Sequence, residues 1–120
     1  MASEAHHFIV SIVSNFKASV GVMNVLMLEP EEYEALLLLY SKLTALRAGI
    51  EQDLRVLTKA SLDSNARLCL YQIYKGLNTL NNCLAGLRNT PLSEQFYFDF
   101  DDFKHAVNSL DALSGRLWAT

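Results

Sequence analysis

Two places in the 120-residue chain set a carboxylate three residues before a histidine, Glu4-x-x-His7 and Asp102-x-x-His105. On a helix that spacing puts an oxygen and an imidazole on one face. Bundle metal centres use the same device, but they need two inward glutamates and two Glu-x-x-His motifs converging on one metal pair. Neither pair here has such company. Glu4, His6 and His7 stand in the first turn near a terminus, where solvated histidines are expected, and Asp102 with His105 reads as a surface pair short of ligands. Cys69 and Cys83 are the only cysteines. On one helix they would lie about 21 Å apart, too far to bridge. They read as free thiols packed as small apolar residues, outside any CxxC or zinc spacing. The chain has no GxSxG, P-loop or GxGxxG, and its many serines form no set with His105. No catalytic residue, cofactor or metal site is therefore expected, and the chain reads as a non-enzyme.

Composition narrows the function classes further. The formal charge is −3 and the isoelectric point about 5.5. Nucleic-acid binding needs clustered Lys and Arg, and the basic residues here are scattered, so no nucleic-acid partner is expected. Arg47, Glu51, Arg55 and Lys59 share one helical stripe, but the glutamate makes it an ion-paired solvated face. Half the residues are apolar (51%) and only 19% are charged. That is a small charged share for a single domain of this size, which leaves apolar surface over for a partner. The segment from Phe8 to Leu28 has the length of a bilayer span. It also contains Asn15, Lys17 and Asn24, with no basic residue ahead of the apolar run and no small-residue cleavage site. It reads as a buried helix of a soluble protein without a membrane partner, and the free thiols point to the cytoplasm.

The elements that would carry these residues are helical. Pro30 and Pro91 each follow an apolar-periodic segment and punctuate the chain. Pro30 suits the first position of a helix, Glu31 and Glu32 suit its dipole, and Leu28 with Tyr33 would staple it. Leu36, Leu43, Ile50 and Leu57 recur every seven residues with Leu39 and Leu46 between them, a heptad seam. Leu70, Leu77 and Leu84 alternate with Ile73, Leu80 and Leu87 in the same way, behind a cap at Ser61 or Asp63. In the first segment, capped by Ser3, the polar stripe Ser11, Ser14, Asn15 and small Ala18 stands opposite Ile9, Ile12, Val13, Phe16 and Val20. Gly21 is its expected weak point, with 21–28 bent or separate. These features predict one all-α domain over 1–120, an antiparallel up-down-up-down four-helix bundle (or helical hairpins completed by dimerisation), with helices at about 4–27, 30–60, 63–88 and 99–118.

Residues 95–103, QFYFDFDDF, fit either an edge strand of period two or the entrance to the last helix. The helix reading explains more. It makes Asp99 the N-cap, Asp102 the N3 residue, and Phe98 with Phe103 a hydrophobic staple, leaving Tyr97 outside the helix. The seam then runs through Phe100, Phe103, Val107, Leu110 and Leu117, with Ala106 and Leu113 beside it.

Leu36-Leu37-Leu38-Leu39 points all round a helix, and only Leu36 and Leu39 belong to the seam. Leu37 and Leu38 are therefore expected at an interface, together with Tyr33, Tyr40, Tyr97, Phe98 and Trp118. The small stripe Cys69, Gly76 and Cys83 is expected to receive a neighbouring helix of the same bundle. The function expected from these features is a cytosolic protein-binding module, a homodimeric regulator that sequesters or masks a partner protein, for example an antiactivator of a transcription factor. The alternative is a bundle that holds a small apolar ligand or metal among Phe16, Tyr74, Phe100 and Phe103.

Overall fold

The computed structural model describes residues 4–28, 33–88 and 92–117, with side-chain surroundings for all of these except 26–28 and 33–36. Those residues form four helices and no strand: α1 (Glu4–Leu28), α2 (Tyr33–Leu57), α3 (Ser64–Gly86) and α4 (Glu94–Arg116). Interhelical contacts fix their directions. Ser11 donates to Asp53 at 2.8 Å, and Gly49 approaches Asn15, so α1 and α2 are antiparallel. Arg47 donates to Asn81 at 3.2 Å and Arg88 to the Tyr40 hydroxyl at 3.0 Å, which makes α2 and α3 antiparallel. Gly86 lies on Phe96 at the α3–α4 turn. The result is the expected up-down-up-down bundle, measuring 47 × 21 × 18 Å.

One apolar cluster runs the length of the bundle. Ile9, Ile12, Phe16, Leu43, Ile50, Leu57, Ile73, Leu80, Phe96 and Phe103 have no exposed surface. Leaving aside Leu36, whose side chain lies outside the described part, both heptad seams face it, although Leu39, Leu46 and Leu70 are only half-buried. The α1 stripe divides as its polar spacing requires: Ser11, Ser14 and Ala18 are exposed opposite the core face. The α1 helix continues through Gly21 without a break, so 21–28 is not a separate element. The small stripe on α3 is consumed inside the bundle. A Cβ on Gly76 would sit 3.0 Å from Phe16 Cζ, so the α1 ring rests directly on the α3 backbone.

Helix ends differ most from expectation. α2 stops at Leu57 rather than 60, because Lys59 and Ala60 donate back three residues, to Val56 and Leu57, and tighten the last turn. The proposed start at Pro30, its staple and the Ser3 cap lie outside the described residues or side chains. α3 begins behind Asp63, whose carboxylate accepts from the Ala66 amide at 2.8 Å. α4 starts at Glu94, not at Asp99: Ser93 is the N-cap and accepts from the Phe96 amide at 3.3 Å. Tyr97 and Phe98, expected to stay outside, therefore lie in the first turns, and the whole QFYFDFDDF run is helical. The deciding residue is Phe96, fully buried with its ring against Gly86. Ser93→Ala is expected to cost about 1 kcal/mol in thermal unfolding. Asp99→Ala, now an interior position, is expected to cost under about 0.5 kcal/mol. The reverse ranking would restore the later start.

Candidate interaction surface

Several of the titratable residues have structural tasks. His6 is buried, contrary to the expectation of a solvated histidine, and its Nε2 lies 3.5 Å from Asp63 Oδ2. Helical register explains this, because His6 stands three residues before Ile9 on the inward side of α1. The Ala66 amide, chiefly, holds the Asp63 carboxyl below its ordinary value against an opposing desolvation, and nearby His6 adds to the lowering. A lowered folded-state pKa means the cap's contribution is present above the ordinary value of 3.8 and is lost as pH falls through the lower folded value. Asp63→Asn keeps an N-cap but removes this titration. Its melting temperature is therefore expected to fall less steeply with acidification than that of the wild type, while Asp63→Ala melts lower at neutral pH. Identical acid limbs for wild type and Asp63→Asn would contradict the assignment.

His105 is exposed and lies 4.0 Å from Asp101, one position away from the Asp102 partner suggested by its spacing. His105 and Asp102 instead border an open groove of about 260 Å³ with Lys75 and Thr79. Among the described residues, no three of His, Cys, Asp and Glu are grouped closely enough to hold a metal ion. Cys69 and Cys83 are free and buried. Burial pushes their thiols up to about 11 and about 12, with Asp63 beside the first and Asp99 and Asp102 beside the second adding to the effect. Both are therefore poor nucleophiles at neutral pH. Of the aromatic residues of the ligand alternative, Phe16 and Phe103 meet edge to face at 5.7 Å, and Phe100 is buried with its ring stacked on Phe96. Tyr74 is exposed and borders an open groove with Glu51 and Arg55.

The fold leaves several large apolar side chains uncovered. Leu37 and Leu38, at the start of α2, are 52% and 59% exposed, and Tyr97 and Phe98 on α4 are 45% and 62% exposed. Tyr40 behaves differently. It is half-buried, its hydroxyl accepts from Arg88 Nε and Nη2, and the guanidinium lies over its ring at 5.9 Å. It clamps α2 to α3. The partner residue is 48 positions away, so local spacing gave no sign of it. The Tyr33 side chain and Trp118 lie outside the described part. Val25, Val56 and Leu68 are also exposed and were not singled out from sequence as an interface, whereas exposed Tyr71 and Tyr74 carry the amphipathic side chains that suit either an interface or a core rim. The signal of the three aliphatic residues is a large apolar side chain off the heptad seam, the same one that marked Leu37 and Leu38.

The exposed aromatic end of α4 is ringed by acids. Glu94, Asp101 and Asp102 stand four before, three after and four after Phe98, on the same exposed face of the helix. Asp101 also reaches Lys104 at 3.6 Å, and Lys104 lies over the Phe100 ring at 4.7 Å. Compared with known proteins, the chain matches no family model, no curated sequence and no solved structure.

Proposed function

We propose that this chain is a small protein-binding module that associates with itself and acts by masking a surface of a partner protein. The observation that carries the reading is the large apolar side chains left in solvent after the four-helix core is complete, above all Leu37, Leu38, Tyr97 and Phe98. Scattered exposed apolar residues need no explanation, but two leucines more than half exposed at the start of one helix and two exposed aromatics at the start of another are the kind of surplus that partners cover. The patches differ in character. Leu37 and Leu38 are purely aliphatic and suit self-association. Tyr97 and Phe98 sit among Glu94, Asp101 and Asp102, which suits a partner with an apolar pocket and a basic rim. A regulator of this design, such as an antiactivator, would occupy the basic surface of its target and need no chemistry of its own. The test is the solution mass of the wild type and of a Leu37→Asp/Leu38→Asp variant, each checked for folding. A wild-type dimer that becomes a folded monomer on substitution supports the reading. A variant that no longer folds would return the two leucines to the core.

A further inference from the structure

We infer that the outer face of the α1–α2 layer is where two copies of this chain meet, face to face, about a twofold axis crossing both helices near their middles. This rests on the self-association proposed above and goes further by naming the face. On α1, the exposed residues Ser11, Ala18 and Val25 follow one another at sevenfold spacing. On α2, exposed Leu38, Ala45 and Val56 lie on the side turned toward α1. The Ser11–Asp53 hydrogen bond and the contact of Asn15 with Gly49 join the two stripes into one surface. Lys17, the one charged residue of α1 after Glu4, is directed away to α4, where it meets Asp111 at 2.9 Å.

Three features select a second copy as the occupant. The first is area. Two 25-residue helices side by side make a face of about 37 by 18 Å, or about 700 Å². A stable interface buries about 600–1,000 Å² per partner, so the face is of the right size without help from other helices. The second is shape. Small residues, Ala18 and Ala45, occupy the middle and let backbones approach, while Val25, Leu38 and Val56 stand toward the ends, where they fill the widening gap. The third is charge. Lys42 and Asp53 flank this face and are equidistant from the peptide bond between Arg47 and Ala48. A twofold axis there brings Lys42 of each copy to the height of Asp53 of the other, and Leu38 to within a residue of Val56. Among the described residues Lys42 has no acidic partner within its own chain.

The experiment is the self-association constant of three surface variants, measured by sedimentation with helix content followed in parallel. Ala45→Glu places like charges beside the axis and is expected to yield a folded single chain at concentrations where the wild type is paired. Lys42→Glu and Asp53→Lys are each expected to weaken pairing by about tenfold, and the doubly swapped chain to recover it. The swap keeps the inference testable even if Ala45→Glu fails to fold. A dimer that survives Ala45→Glu, or charge variants that never recover when combined, would overturn this face while leaving self-association intact. A wild type that is monomeric throughout, including one that binds phospholipid vesicles through α1, would overturn both.

Discussion

Replacing Phe16 with alanine is expected to destabilise the protein by about 3–5 kcal/mol, the largest effect of any single truncation proposed for this fold. The ring has no exposed surface, and it ties α1 to two other helices at once. Its edge meets Phe103 of α4 at 5.7 Å, and its tip rests on Gly76 of α3. Truncation removes the transfer energy of the ring and an aromatic contact of about 0.5–1.5 kcal/mol, and leaves a void between three helices that cannot easily collapse. In a domain of this size the loss corresponds to a fall in Tm of about 10–20 °C. Gly76→Ala should also destabilise, although alanine is favoured over glycine inside a helix by about 1 kcal/mol. Its Cβ would press on a ring already locked by Phe103. Thermal denaturation followed by circular dichroism measures both. A Phe16→Ala variant melting within a few degrees of the wild type would show that the three helices are not joined through this ring.

The second large effect falls on association rather than folding. Leu37→Asp/Leu38→Asp is expected to weaken self-association by at least about a hundredfold while leaving the single chain folded. Burying a leucine side chain is worth about 1.5–3 kcal/mol, and in a symmetric dimer each substitution is made twice. A loss of about 3 kcal/mol already exceeds a hundredfold in the dissociation constant. Folding of the single chain should be nearly untouched, because both side chains are more than half exposed and surface substitutions commonly shift stability by less than about 0.5 kcal/mol. An unchanged association constant in a folded variant would place the self-association surface elsewhere.

The fold was legible because its signals are redundant. The seams of α2 and α3 repeat over several turns, so Leu43, Ile50, Ile73 and Leu80 were placed in the core without reference to any neighbour, and all four are fully buried. The α3 cap is legible only as Ser61 or Asp63, since both residue types cap helices, and the structure takes Asp63. The start of α4 was misplaced because two capping signals compete within six residues: Ser93 three before Phe96, and Asp99 three before Asp102. Local rules favour the acid-rich one. The structure favours the other because Phe96 then fits Gly86, and α4 gains the length to match α3, 23 residues each. Matched lengths in a bundle were the available signal. His6 was misjudged because closeness to a terminus was given more weight than its helical register with Ile9. In the four-leucine run, by contrast, geometry alone sets Leu37 and Leu38 off the seam, because four successive positions cannot all face one core, and both are exposed. Tyr40 could not be separated from them, because a tyrosine at a core rim and one at an interface have the same local pattern, and only Arg88 distinguishes them.

The central claim is that the apolar surface left over by a complete four-helix core is used by the chain to bind itself. The most direct test is the solution mass of the purified protein by light scattering behind a sizing column, from the highest soluble concentration down to the detection limit. A self-associating chain is expected to give twice the 13.5 kDa chain mass at high concentration, falling toward a single chain on dilution. A mass of one chain at every concentration, with the helices intact, would contradict it.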